Sequence, residues 1–169
     1  MIQKPVNDHY LVLWKKRVLT FYREVFDIRL GTDFMDHESA NESDVRDYAK
    51  DMEDGPNPED LHFDMMTGPD SVWNRRVLEL LLEKLKEDNS DTLPARSDAY
   101  WIDLLAKRFI NLRTSWNKGQ RKMKPSGELE TPEEVEDRLA TSVAMDEVRS
   151  RKATRRNHVS SKIFYDHEV

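Results

Sequence analysis

Five cations fall within eight residues towards the end of the chain: Arg149, Arg151, Lys152, Arg155 and Arg156. On a helix, Arg149, Lys152 and Arg156 step by 3 and 4 and share a face, while Arg151 and Arg155 form the adjacent row. Such a surface can bridge the phosphates of a duplex or of single-stranded RNA. His158 adds charge below about pH 6.5. The plainer alternative is a solvated face, or one that pairs with acids of the same chain. A second basic set, Lys118, Arg121, Lys122 and Lys124, closes a stretch of seven bases and no acid over 105–124. Within it Lys107, Arg108 and Arg113 interleave with Phe109 and Trp116, a pattern that could stack a base beside its phosphate. Phe109 and Trp116 stand seven apart, two helical turns, which better suits one stripe facing a core.

The bases sit among equally segregated acids. Residues 33–70 carry thirteen acids and two bases, and 127–147 carry eight acids and one base, whereas 148–162 carry six bases and no acid. The net charge of −6 hides this alternation. The acidic stretch could mimic phosphate, bind a basic partner or hold a divalent ion. A calcium loop needs glycine at its sixth place; in Asp51-Met52-Glu53-Asp54-Gly55 it falls at the fifth. His9, His37, His62, His158 and His167 stand singly, without zinc spacing. The chain has no cysteine, which removes thiolate zinc sites, disulfides and a Cys nucleophile. No acid sits in an apolar, pKa-raising context, and no glycine-rich phosphate loop, nucleophile elbow or kinase signature occurs. The expectation is a protein that is not an enzyme, with no catalytic residues, no metal and no cofactor.

At 169 residues the chain is one ordinary domain, or a smaller one with long tails. Hydrophobic residues make up 37% and charged ones 36%, so a core is expected for part of the chain, with 33–60 and 120–169 thinly covered. The first residues, Met1 to Pro5, hold no apolar leader, and no stretch approaches the ~18 apolar residues of a membrane span. These features predict an intracellular protein, nuclear or cytoplasmic, with no membrane partner.

The elements that must carry these charges read as helices. Over 8–29, Leu11, Trp14, Val18, Tyr22 and Val25 step by 3, 4, 4 and 3, with Asp8 as cap and Gly31 as stop. Residues 32–56 form an acidic loop region, decorated by a short helix over 43–52 with Val45, Tyr48, Ala49 and Met52 inward. Asn57-Pro58-Glu59-Asp60 starts a short helix that ends near Gly68. Asp70 caps a helix over 71–87, whose Val72, Trp73, Val77, Leu78, Leu81, Leu82 and Leu85 keep a 3.6-residue period. Ser97 caps another, with Trp101, Leu104, Leu105, Phe109, Leu112 and Trp116 on one side and Gly119 at its end. Residues 118–130 read as a linker. Thr131-Pro132-Glu133-Glu134 is a capping box that opens a charged amphipathic helix over 131–158, with a thin apolar line of Val135, Leu139, Val143 and Val148. Residues 159–169 are a tail. The fold class is all-α: an irregular helical bundle over 1–117 with an appended charged C-terminal helix.

Trp73, Trp101 and Trp116 loosely resemble the core tryptophans of Myb/SANT-like three-helix DNA readers. Their gaps of 28 and 15 are irregular, so the likeness favours a helical bundle more than a DNA reader. The run Leu112-Arg113-Thr114-Ser115-Trp116, then Pro125-Ser126-Gly127-Glu128-Leu129-Glu130-Thr131-Pro132-Glu133, then the arginines from Arg149 to Arg156, resembles uncharacterised proteins of mushroom-forming fungi. The likeness covers about 100–162. It implies a eukaryotic, intracellular, lineage-restricted protein and brings no activity or site residues with it. The reading that follows is non-enzymatic binding of nucleic acid or chromatin through Lys118, Arg121, Lys122, Lys124, Arg149, Arg151, Lys152, Arg155 and Arg156, tuned by the acidic blocks. Its alternative is a protein–protein adaptor or self-associating helical module, whose basic helix docks an acidic protein surface or a second copy of the chain.

Overall fold

Apolar residues at helical spacing produce the helices that the period predicts. The computed structural model describes residues 8–29, 33–52, 54–89 and 92–165, with side chains described from 12 to 154 within those ranges. The helices are α1 (Asp8–Val25), α2 (Glu42–Tyr48), α3 (Val72–Asp88), α4 (Asp98–Gly119) and α5 (Pro132–Tyr165), with a 3₁₀ turn at Asp33–Asp36. Among the described residues the β pairing amounts to one antiparallel bridge, Met123 with Leu129, so the fold is all-α. The chain divides into two compact units, Met1–Asn117 and Lys118–Val169.

In the first unit α1, α3 and α4 share one core. Trp14, Trp73, Leu78, Leu81, Leu82, Trp101, Leu105 and Phe109 are all buried in the same cluster, as the stripes require. Full burial of each such side chain contributes about 1.5–3 kcal/mol. Trp14 and Trp101 meet edge to face at 5.5 Å, the arrangement that aromatic quadrupoles favour. The Tyr22 hydroxyl donates to the Leu105 carbonyl at 2.8 Å. Burial pushes that phenol well above its ordinary pKa, so it stays a neutral donor.

Helix ends differ from expectation in instructive places. α1 stops at Val25, and Asp27 takes the left-handed conformation at φ 48° while the Ile28 amide donates back to Arg23 at 2.9 Å. Gly31, the expected stop, and the Asp8 side chain lie outside the described residues. α3 is capped by Ser71, whose hydroxyl accepts from the Asn74 amide at 3.2 Å, and not by Asp70. α4 does start on Ser97, whose side chain accepts from the Tyr100 amide at 3.3 Å. α2 is shorter than expected. Its cap is Asn41, Val45 and Tyr48 pack on the core, and Met52 points outward.

The larger correction concerns 57–68, where the expected helix does not form. Asn57 instead closes a turn, accepting from the Glu59 amide at 3.0 Å, and the chain then runs extended. Leu61, Phe63 and Met65 alternate into the core. Asp64 between the last two is buried as well, on the polar partners described below. The described residues of 33–60 are thinly covered, as the composition predicts, apart from buried Phe34 and Pro56; the covered part of the acidic stretch is 61–65.

An extended segment without a neighbouring strand needs partners for its peptide groups, and side chains of α3 and α4 supply them. The Trp73 indole donates to the His62 carbonyl at 2.9 Å. Arg113 donates to the carbonyls of Met65 and Met66 at 2.8 and 2.9 Å. Trp116 donates to the His37 carbonyl at 3.0 Å. Fully buried Asn74 accepts from the Asp64 amide at 2.8 Å and donates to the carbonyls of Asp64 and Gly68, both at 2.9 Å. Asp64, also buried, accepts from the Met66 amide at 3.0 Å and from the Thr67 hydroxyl. Phe109 and Trp116 thus serve the fold, one in the core and one as a strap.

Candidate nucleic-acid interface

The second unit carries the nine cations that the sequence singles out. Residues 122–130 fold into a tight hairpin. Pro125, Ser126 and Gly127 form a three-residue loop, with the Lys124 amide donating to Glu128 at 2.7 Å and the Gly127 amide to Lys124 at 2.9 Å. Gly127 sits at φ +85°, the left-handed position that follows a turn in this loop class and favours glycine. The Glu130 amide donates to the Lys122 carbonyl at 2.8 Å and closes the ladder.

Arg138, nearly two turns into α5, locks the hairpin to the helix. Its Nε and Nη2 each reach the Glu130 carboxylate at 2.9 Å, while Nη1 donates to the Lys118 carbonyl at 2.7 Å and Nη2 to Gln120 at 3.0 Å. This planar, two-pronged pairing is what a guanidinium does best. The Glu130 carboxylate also accepts from the Lys122 amide at 2.9 Å. Arg138 first, then that amide, hold Glu130 below the usual carboxylate range. The capping box forms as expected: Glu134 accepts from the Thr131 amide at 2.7 Å and Thr131 accepts from the Glu134 amide at 3.3 Å. The Thr131 amide, then the Lys124 ammonium at 3.1 Å, keep Glu134 low as well.

The structure therefore treats the two basic sets differently. In the first, the Arg121 guanidinium donates to the Glu130 carbonyl, and Lys124 is half-buried between Glu134 and Glu128. Lys118 and Lys122 are exposed, with their backbone groups joined to Arg138 and Glu130. Upstream, Lys107 pairs with Asp103 at 2.6 Å and Arg113 is one of the straps. Much of the first basic block is thus spent on the fold itself. A proline, a serine and a glycine between flanking residues were a turn signature in what read as a linker; Arg138, a lone base in an acidic run, carried no signal of its partners.

The second set lies on α5, a helix of 34 residues that continues to Tyr165 through the segment expected to be a tail. Arg149, Arg151 and Lys152 are exposed. Arg149 lies 3.6 Å from Asp146 and Arg151 lies 3.3 Å from Glu147, both exposed pairs within the helix. Pairs of that kind hold about 0–1 kcal/mol, so a phosphate can displace them. Arg155 and Arg156 belong to the helix, and their side chains lie outside the described residues. From Arg138 to Arg149 is eleven residues, about 16 Å along the axis. The apolar line expected along α5 also divides. The step from Val143 to Val148 is five residues, about 140° round the helix, so Val148 joins Thr141 and Met145 on a different side.

Among the described residues no group of three or more His, Cys, Asp or Glu side chains is placed to hold a metal ion. No described helix is long and apolar enough to cross a membrane. No family model matches the chain, and no curated protein or solved structure matches it either.

Proposed function

We propose that the protein binds nucleic acid or chromatin, without catalysis, through the basic half of α5. The observation that carries this reading is the contrast between the two cation sets. Arg121 and Lys124 are committed to the hairpin and its acids, whereas Arg149, Arg151 and Lys152 stand exposed on a helix with weak intrahelical pairs. Cations on one helical surface suit the regular phosphate spacing of a nucleic-acid backbone. Phosphate contacts carry no base code, so affinity is expected to be general across sequences. The nucleus is the compartment this reading favours. Lys118 and Lys122 would add to the field.

The test is a fluorescence titration of the full chain against duplex DNA, single-stranded DNA and RNA at two salt concentrations. Three or four duplex phosphate contacts give a slope of log affinity on log salt of about −3 to −4. Replacing Arg149, Lys152 and Arg156 with Gln flattens it by about 2 to 3 and weakens all sequences alike. No detectable binding at ~50 mM salt, where such contacts are strongest, rules the reading out.

A further inference from the structure

α5 is a helix of two opposite halves. Residues 132–147 carry six acids and one base, a net of −5, and 148–165 carry six bases and no acid, a net of +6. Across the junction runs a row with two exposed apolar residues at its centre. Thr141, Met145, Val148 and Lys152 step by 4, 3 and 4, the seam of a helix pair, and with Ala144 and Arg149 they line one shallow surface. Met145 is 57% exposed and Val148 48%. A long helix that leaves apolar side chains in water at its middle gains by covering them.

We infer that α5 pairs antiparallel with α5 of a second copy of the chain. Charge selects both the partner and the direction. An antiparallel neighbour lays each −5 half against a +6 half, whereas a parallel one sets like against like along the whole contact. With the row centred between residues 146 and 147, Met145 of one copy meets Val148 of the other, and Thr141 meets Lys152. The chain itself is then the acidic, amphipathic helix that this surface fits. The pairing does not depend on nucleic-acid binding, and it competes with it, because the same cations serve both.

The absence of cysteine makes direction measurable, since a single introduced thiol reports one position. Full chain, freed of nucleic acid by nuclease and a salt wash, is prepared as Thr141→Cys and as Lys152→Cys, and the two are mixed in a glutathione redox buffer. A disulfide needs its Cα atoms within about 7 Å. In the antiparallel register Thr141 and Lys152 of opposite copies satisfy this, and two copies of Thr141 stand about 16 Å apart. The expected result is a mixed Thr141→Cys/Lys152→Cys link in clear excess over either self-link. Sedimentation at ~50 mM salt should show mass shifting from one chain towards two as concentration rises. That shift should be lost in Val148→Glu with helical content unchanged, and reduced at ~1 M salt, where screening confines charge attraction to about 3 Å. A Thr141→Cys self-link in excess would overturn the direction. One-chain mass at every concentration, with no mixed link, would overturn the pairing.

Discussion

Asn74 is the side chain on which the course of residues 61–68 depends, and replacing it measures what that course is worth. It is fully buried, and its amide closes three short bonds to backbone groups: the Asp64 amide at 2.8 Å and the carbonyls of Asp64 and Gly68 at 2.9 Å. Asn74→Ala leaves the Asp64 amide and carbonyl without that partner, while the Gly68 carbonyl still accepts from the Ser71 amide at 3.3 Å. A buried polar group left unsatisfied costs about 1–3 kcal/mol, so the sum over the two is about 2–6 kcal/mol. Asn74→Asp sharpens the argument. It keeps the shape and the acceptor for the Asp64 amide, loses both donors, and brings a second carboxylate beside Asp64. It should therefore destabilise at least as much as alanine. Urea unfolding of the full chain followed by circular dichroism is the assay. With a slope near 2 kcal/mol per molar, the midpoint falls by about 1–3 M. A loss below ~1 kcal/mol for Asn74→Asp would show that donation to the two carbonyls does not hold the segment, and the strap account would fail.

Three further outcomes follow from named contacts. Leu81→Ala, at a fully buried position of α3, should cost about 2–5 kcal/mol in the same assay; a loss under ~0.5 kcal/mol would contradict its packing. Thr131→Ala removes the acceptor for the Glu134 amide and should weaken the start of α5 by about 0.5–2 kcal/mol, read as faster amide exchange at Glu134, with unchanged exchange speaking against the cap. His37 is held neutral down to about 4 by burial, then by the neighbouring His62. The unfolded chain takes that proton near pH 6.5, so stability is full above 6.5 and falls as pH drops towards 4, by about 3 kcal/mol at most. His37→Phe should remove that part of the pH dependence, and equal pH slopes in variant and wild type would reject the assignment.

The helices were legible because burial writes a 3.6-residue period into them: Trp73 to Leu85 and Trp101 to Leu112 could face a core in no other way. The all-α class followed from those stripes. Leu61, Phe63 and Met65 were harder to read. Three apolar residues at a period of two make a short pattern, and Asn57-Pro58 before them is a strong helix-start signal that the extended chain overrides. The straps were illegible for a different reason. Asn74, Arg113, Trp116 and Arg138 act on backbone groups 10, 48, 79 and 20 residues away, and no local pattern encodes a partner at that distance. Of the candidate interface, the charge of both sets was visible, but which cations the fold would keep for itself depended on the hairpin.

The straps also fix an order of events. The carbonyls of His37, His62, Met65 and Met66 take their partners from side chains on α3 and α4, across separations that reach 79 residues. Closing loops of that length costs entropy before any contact repays it. Those donors stand in position only once their helices have packed, so the straps cannot close before α3 and α4 do. The acidic segment's amide at Asp64, outside any helix and held by Asn74 at 2.8 Å, is then released only when its docking is undone. During synthesis the segment leaves the ribosome before either helix that receives it, so its last straps, from Arg113 and Trp116, wait until α4 has emerged.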